Sequence, residues 1–171
     1  MGTPAPHHDG STTGTAVHRY RAQVTWSGST GAGYEAYDRT HAVTCPPATA
    51  DLTVSSDPAF RGDPTLLDPE QLLLAAASSC QLLAFLAVAA RARVDVVTYT
   101  DQAEAVMPED DPPVRITAIA LRPRIIVRGP GGATAVDKLA RLVEVAHHEC
   151  FIANSLRSDV VVEPVIVFAG D

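Results

Sequence analysis

The side chains with the most reactive chemistry in this chain are its three cysteines, Cys45, Cys80 and Cys150. An odd number of thiols, with no export signal ahead of them, argues against a structural disulfide framework and makes the chemistry of each thiol the question. Cys80 sits inside an uncharged run, where a free cysteine commonly serves as a small core hydrophobe. Cys150 closes an amphipathic stretch and opens Cys150-Phe-Ile-Ala-Asn154-Ser-Leu156; if a short helix starts there, its terminal N–H groups favour a thiolate. By itself Cys80 reads first as a packing residue, while for Cys150 packing residue and nucleophile stand level. Cys45 precedes Pro46-Pro47 at a strand end and reads as a bystander.

Other polar residues are open in the same way. His147, His148, Glu149 and Cys150 all carry metal-ligating atoms, yet consecutive helical residues diverge by about 100° and no C-x-x-C or H-x-x-x-H spacing supports them, so no metal is expected. Arg39 in a strand and Arg61 in a loop are either surface charges or cations available to a thiolate. Glu70 is the second residue of a helix, where a carboxylate suits the macrodipole whatever else it does.

These residues need elements to hold them. The central one runs from Asp68 to Arg93: Asp68 as N-cap, Pro69 at the first helical position, Gln71 completing a capping box, and arginines at the far end. Between them, Leu72 to Ala90 carries no charge, a run nearly as long as the roughly 20 residues that span a bilayer. Its many alanines and its Ser and Gln positions make it only moderately apolar, so a buried core helix is the preferred reading over a membrane span. A helix apolar on all sides must be covered on all sides, which leads us to expect a second subunit.

Before this helix, strands are expected at His18 to Trp26, Tyr34 to Thr44 and Ala50 to Ser55, followed by a Pro- and Gly-rich loop through Gly62. The Gly31-Ala-Gly33 pair lacks a phosphate-binding fingerprint and reads as a hairpin turn. After it come strands at Val94 to Met107 and Val114 to Arg128, paired as a hairpin across the acidic Pro108 to Pro113 turn, with a bulge or edge position at Pro123. Ala133 to Glu149 has helical spacing of Val136, Leu139, Ala140, Val143 and Ala146. Val160 to Phe168 is a last strand. Strands, helix, strands, helix, strand is an α+β order with helices on an antiparallel sheet.

Length and composition narrow the function. A chain of 171 residues suits one domain. Residues 1–16 read as a disordered tail without a signal peptide and residues 17–171 as the domain, with a cytoplasmic location as the default. With 13 basic against 20 acidic residues and a net charge of −7, nucleic acid is not expected as a partner.

Taken together, Asp68-Pro69-Glu70-Gln71-Leu72, the Ala-Ala-Ala-Ser78-Ser79-Cys80 that follows, and Cys150-Phe-Ile-Ala-Asn154-Ser-Leu156 resemble the OsmC/Ohr family of thiol peroxidases; Ser56-Asp57-Pro58-Ala59-Phe60-Arg61-Gly62-Asp63 resembles an OsmC-like branch. The resemblance spans roughly residues 18–168. It implies an OsmC-like fold, with antiparallel sheets around a long central helix in an intertwined homodimer. It also implies a peroxidatic Cys80, a resolving Cys150 that forms a disulfide with it, and Glu70 orienting an arginine, with Arg61 preferred over Arg39 from its place in the loop. The implied activity is reduction of organic hydroperoxides in oxidative-stress defence. The implied reductant is an external dithiol, lipoyl-type or another small one, and no bound cofactor is required. Asp68 replaces the family's usual Asn, and Gln81 stands where the branch often has His, which bears on substrate fit.

The chemistry suits those roles. A thiol in apolar surroundings resists ionisation unless a cation sits beside it, and arginine is a permanent one that can also bond the departing oxygen. Glu70 precedes Cys80 by ten residues, about 15 Å along a straight helix, so Glu70 is expected to serve the Cys80 of another subunit. The rival readings are a non-catalytic relative that binds an apolar ligand in the dimer cleft, and a small membrane-anchored protein.

Overall fold

A computed structural model describes residues 16–169; the expected N-terminal tail, apart from Ala16, lies outside the described residues. Helix α1, Pro69–Arg91, starts as its sequence dictates. The Asp68 carboxylate accepts from the Gln71 N–H at 2.7 Å and the Gln71 side chain accepts from the Asp68 N–H at 3.4 Å, closing the capping box. Helix α2, Ala133–His148, turns Leu139, Val143 and Ala146 inward, the face its spacing marks out.

The strands are shorter and more divided than their hydrophobic runs suggest. Before α1 lie β1 (Gln23–Thr25), β2 (His41–Thr44) and β3 (Asp51–Val54), an antiparallel sheet in that order. The expected strand from Tyr34 begins only at His41, because Tyr34 to Tyr37 form a turn, and Arg39 therefore stands in a loop. Of these three strands only Val54 is buried. Asp57 caps a short 3-10 turn at Pro58–Phe60, and Gly62 closes the loop with its N–H on the Asp57 carbonyl at 3.1 Å. A Cβ at Gly62 would fall 1.5 Å from the Ser56 carbonyl oxygen, so only glycine fits there.

Each long run after α1 divides between two sheets. Val94 to Met107 becomes β4 (Asp95–Asp101) and β5 (Glu104–Val106); Val114 to Arg128 becomes β6 (Ala118–Leu121) and β7 (Pro123–Arg128); the final run becomes β8 (Asp159–Val162) and β9 (Val165–Phe168). One sheet has the order β4-β7-β9 and the other β5-β6-β8. The expected hairpin is present as two antiparallel pairs, β4 with β7 and β5 with β6. Pro123 opens β7, where its missing N–H does no harm, and the ladder irregularity falls instead between Val96 and Thr98. Arg122 stands at the division: its backbone N–H bonds Asp101, and its guanidinium reaches Glu104 and Glu163, each at 3.1 Å.

The α+β class is as expected, while two of the sheets are mixed rather than wholly antiparallel. The reason is α2, a helical crossover that returns the chain in the same direction, so β8 pairs parallel to β6 and β9 parallel to β7. The main core gathers Phe85, Val88 and Ala89 of α1 with Ile125 and Val127 of β7, Leu139, Val143 and Ala146 of α2, and Phe168 of β9. A smaller one sets Ala77 of α1 against Ile119 and Leu121 of β6. Helix α1 thus lies across both sheets.

Only one face of α1 is covered. Ala75, Ala76, Ser79, Leu83, Leu86, Ala87 and Ala90 form an exposed, uncharged stripe at helical spacing. The helix is long and apolar enough to cross a membrane by length and composition, but its opposite face, with Phe85 and Gln81 fully enclosed, belongs to the core of this chain.

Candidate active site

Cys80 sits on α1 one turn before Phe85, at the edge of the covered face, and is half-buried. Cys150 follows the last turn of α2 and is fully enclosed, its N–H held by the His147 carbonyl at 3.1 Å. The segment after it folds back over α1: the Ile152 N–H donates to the Cys80 sulfur at 3.5 Å, and the Asn154 N–H donates to the Cys150 carbonyl at 3.0 Å. Two free thiols about 70 positions apart in sequence are thereby neighbours. Packing of α1 on α2 fixes their relation, since each helix carries one of them at or near the shared face.

Burial pushes the Cys150 thiol above its ordinary range. The Ala153 and Ile152 N–H groups pull the other way, while hydrogen bonding to Cys80 and repulsion from it add to the rise. The amides expected at the start of a short helix are therefore present, with a 3-10 turn at Ala153–Ser155, but they do not make Cys150 a ready thiolate. Desolvation outweighs them.

A cleft of about 520 Å³ opens onto Cys80, lined by Leu83, Ala84, Ala87, Arg91, Glu149 and Phe151. Its surface is largely apolar, with Leu83 64% and Phe151 79% exposed. At its far end Arg91 and Glu149 form an ion pair at 2.5 Å. Arg91 lies three helical turns from Cys80, so within one chain it does not meet the thiol. Sequence reasoning did not single out Leu83, Phe151, Arg91 or Glu149 as cleft residues; only the fold of the Cys150 segment onto α1 makes them neighbours.

Gln81 does not face this cleft. It is enclosed between the helices, its amide donating weakly to the Val143 carbonyl at 3.5 Å. The concern that Gln81 alters substrate fit beside Cys80 is met by its direction: successive helical side chains diverge, and this one points into the core. The four candidate metal ligands at the end of α2 also diverge. Glu149 pairs with Arg91, Cys150 is enclosed behind α1, and the His147 ring is partly buried with its Nδ1 unpartnered among the described residues.

Glu70, Arg39 and Arg61 lie elsewhere. Glu70 lines a second cleft, of about 470 Å³, between the N-terminal sheet and the start of α1, together with Trp26, Tyr34, Tyr37, Arg39 and Phe60. Arg61, in a left-handed backbone conformation at φ 67°, is ion-paired to Glu35 and lines neither cleft. Arg39, which has no carboxylate partner among the described residues, shares the cleft with Glu70. Within one chain these two clefts are separate: one opens onto Cys80, the other holds Arg39 and Glu70. Cys45 is exposed just after β2 and lines neither cleft.

The OsmC-like protein family model matches residues 62–165, from the loop before α1 into β9. Both thiols and Glu70 fall inside the matched span, and Arg39 and Arg61 before it. Among solved structures, an OsmC-like protein of unknown function from Vibrio cholerae is 29% identical, with a TM-score of 0.78 over 87% of this chain and 100% of that one. An organic hydroperoxide resistance protein from Elizabethkingia anophelis is 19% identical, with a TM-score of 0.66 over 90% of this chain and 99% of that one. The organic hydroperoxide resistance protein OhrB of Bacillus subtilis is 18% identical, with a TM-score of 0.57 over 89% and 100%. At those last two identities the likeness shows the fold. Among curated proteins none matches the chain.

Proposed function

Because this chain belongs to the OsmC-like protein family, we propose that it is a thiol peroxidase that reduces organic hydroperoxides through a Cys80–Cys150 dithiol in oxidative-stress defence. The observation that carries this reading is the meeting of the two thiols at the end of an apolar cleft. In the first step the Cys80 thiolate attacks the outer oxygen of ROOH; the O–O bond breaks, the alkoxide takes a proton and leaves as ROH, and Cys80 becomes a sulfenic acid. In the second, the Cys150 sulfur attacks the Cys80 sulfur, an S–S bond forms, and the hydroxyl leaves as water with the Cys150 proton. An external dithiol, lipoyl-type by the family resemblance, returns two electrons and two protons. No bound cofactor enters. The apolar lining of Leu83, Ala84, Ala87 and Phe151 suits the alkyl part of an organic hydroperoxide better than hydrogen peroxide.

The working unit is proposed to be a homodimer in the cytosol. Three observations support a second copy: the uncovered stripe on α1, the thinly covered N-terminal sheet, and the separation of the Arg39–Glu70 cleft from the thiols. A second copy brings the arginine of one cleft to the thiol of the other. Glu70, in this arrangement, orients that arginine.

The same apolar cleft also suits an apolar ligand that is bound without turnover. Titration separates the two: with one equivalent of cumene hydroperoxide, Cys80 and Cys150 lose their free thiols together and Cys45 keeps its own. A Cys80 that stays reduced sinks the peroxidase reading.

A further inference from the structure

The loop that carries Arg39 has no regular secondary structure, and a long cationic side chain there would ordinarily sample many rotamers. Here it is held on both sides. The Arg39 guanidinium carbon stands 4.0 Å from the centre of the Tyr37 ring and 4.7 Å from that of Tyr34. Its two terminal nitrogens donate to the Tyr37 and Tyr34 carbonyls, each at 2.7 Å. The rings are themselves braced: Tyr34 and Trp26 each meet Tyr37 edge to face at 6.2 Å, and the Trp26 indole N–H donates to the Asp38 carbonyl at 2.7 Å. On the other side of Arg39, its own carbonyl is hydrogen-bonded to the His41 ring at 2.8 Å.

An arginine used only as surface charge has no need of such a holder. Arg61, the alternative cation, is already engaged by Glu35. Arg39 spends two of its five donors on the loop and keeps the rest, in a cleft that also contains Glu70. Aromatic faces attract the cation without using up its N–H donors. The clamp therefore fixes direction while leaving hydrogen-bonding capacity for something arriving from outside the chain.

We infer that Tyr34 and Tyr37 are positioning residues that clamp Arg39 as the guanidinium presented to the Cys80 sulfur of a second copy. The inference rests on the proposed peroxidase dimer and adds which arginine serves it and what holds that arginine in place. Arg39 then bonds the thiolate and the departing oxygen, and the tyrosines act only through it.

The test compares the full-length wild type with Y34A/Y37A, Y37A and Y37F, using cumene hydroperoxide with dihydrolipoamide, iodoacetamide labelling of Cys80 read by peptide mass spectrometry, and the Arg39 Nε–H resonance. In a two-step cycle the hydroperoxide and dithiol halves have separate kcat/KM values. In Y34A/Y37A the hydroperoxide kcat/KM and the Cys80 alkylation rate at neutral pH fall about tenfold, the order of a partly desolvated cation–π clamp. The dithiol kcat/KM stays within about twofold, which general damage to the fold would not allow. Y37F, which keeps the ring face, restores both rates. The Arg39 Nε–H signal is ring-current shifted in wild type and Y37F and returns toward the free-arginine position in Y37A. If Y34A/Y37A does not fold, Y37A, Y37F and the wild-type resonance decide alone. An unshifted wild-type resonance, or unchanged rates in the alanine variants, overturns the clamp. So does a loss of hydroperoxide kcat/KM in R61A that equals the loss in R39A. If the wild type turns over no hydroperoxide at all, the peroxidase reading fails, and the resonance and alkylation rates still test the clamp.

Discussion

Cys80 and Cys150 differ in burial, and on the proposed cycle that difference divides their labour. Cys80 opens onto a cleft and receives the Ile152 N–H, while Cys150 is enclosed and held protonated by desolvation. A thiol so placed reacts poorly with solvent oxidants and well with a sulfenic acid already beside it. On the proposed cycle, C80S abolishes hydroperoxide turnover. C150S instead accumulates a Cys80 sulfenic acid that dimedone traps, read by intact mass. The raised pKa of Cys150 also links folding to pH. A thiol whose folded pKa lies above its unfolded one stabilises the fold fully below the unfolded value, about 8.5, and that contribution is lost as pH rises through the folded value. Reduced wild-type protein should therefore lose stability more steeply than C150A as pH rises above about 8.5, measured by urea denaturation at a series of pH values.

At the scale of elements, α1 does two jobs that its sequence encodes at different positions. Its start is set by Asp68 and Gln71, whose capping box satisfies two N–H groups that the helix itself leaves open. Replacing Asp68 by Ala should lower unfolding stability by about 1 kcal/mol, with the far-UV signal of the folded protein unchanged. Its middle is set by packing: Phe85 is wholly enclosed between β7, α2 and β9, and tilts against Tyr99 at 6.0 Å between ring centres. Phe85→Ala should cost about 3–5 kcal/mol, because the two sheets and α2 leave little freedom to collapse into the space. The split of each long strand run between two sheets has its own residue-level cause. Arg122, at the division of its own run, ties Asp101 and Glu104, which flank the division of the run before it, and Glu163, at the division of the last one. A hydrophobic run records that a strand is buried but does not record where its hydrogen-bond partner changes.

For the whole molecule, the exposed face of α1 is the feature that one chain leaves unfinished. Leu83, at 64% exposed, and Leu86, at 38%, stand among alanines with no charge between Leu72 and Ala90. In the proposed dimer this stripe is the face that the second copy covers. Leu86→Glu, which does not line the Cys80 cleft, should convert the proposed dimer to a monomer in light scattering and take hydroperoxide turnover with it, since the cation and the thiol would then sit on separate molecules. A monomeric wild type, or a monomeric variant with full activity, would remove the shared site.

What the amino-acid sequence by itself determined is local or strongly patterned. The capped, uncharged α1, the amphipathic face of α2, the loop before α1 and the two cysteine segments are written in short-range spacing, and they carry the family as well as the fold class. Hydrogen bonding within a helix and its cap involves neighbours in the chain, so sequence records it directly. What only the tertiary structure decided is everything that depends on which distant surfaces meet. That includes the neighbouring thiols, the inward turn of Gln81, the parallel pairing of β8 and β9 after the α2 crossover, and the separation of Glu70 and Arg39 from Cys80 in one chain. The two arginines belong here too: the family resemblance put Arg61 ahead by its place in the loop, and our proposal puts Arg39 ahead because Arg61 is ion-paired to Glu35 while Tyr34 and Tyr37 hold Arg39, a cation's availability being set by the partners it has already met.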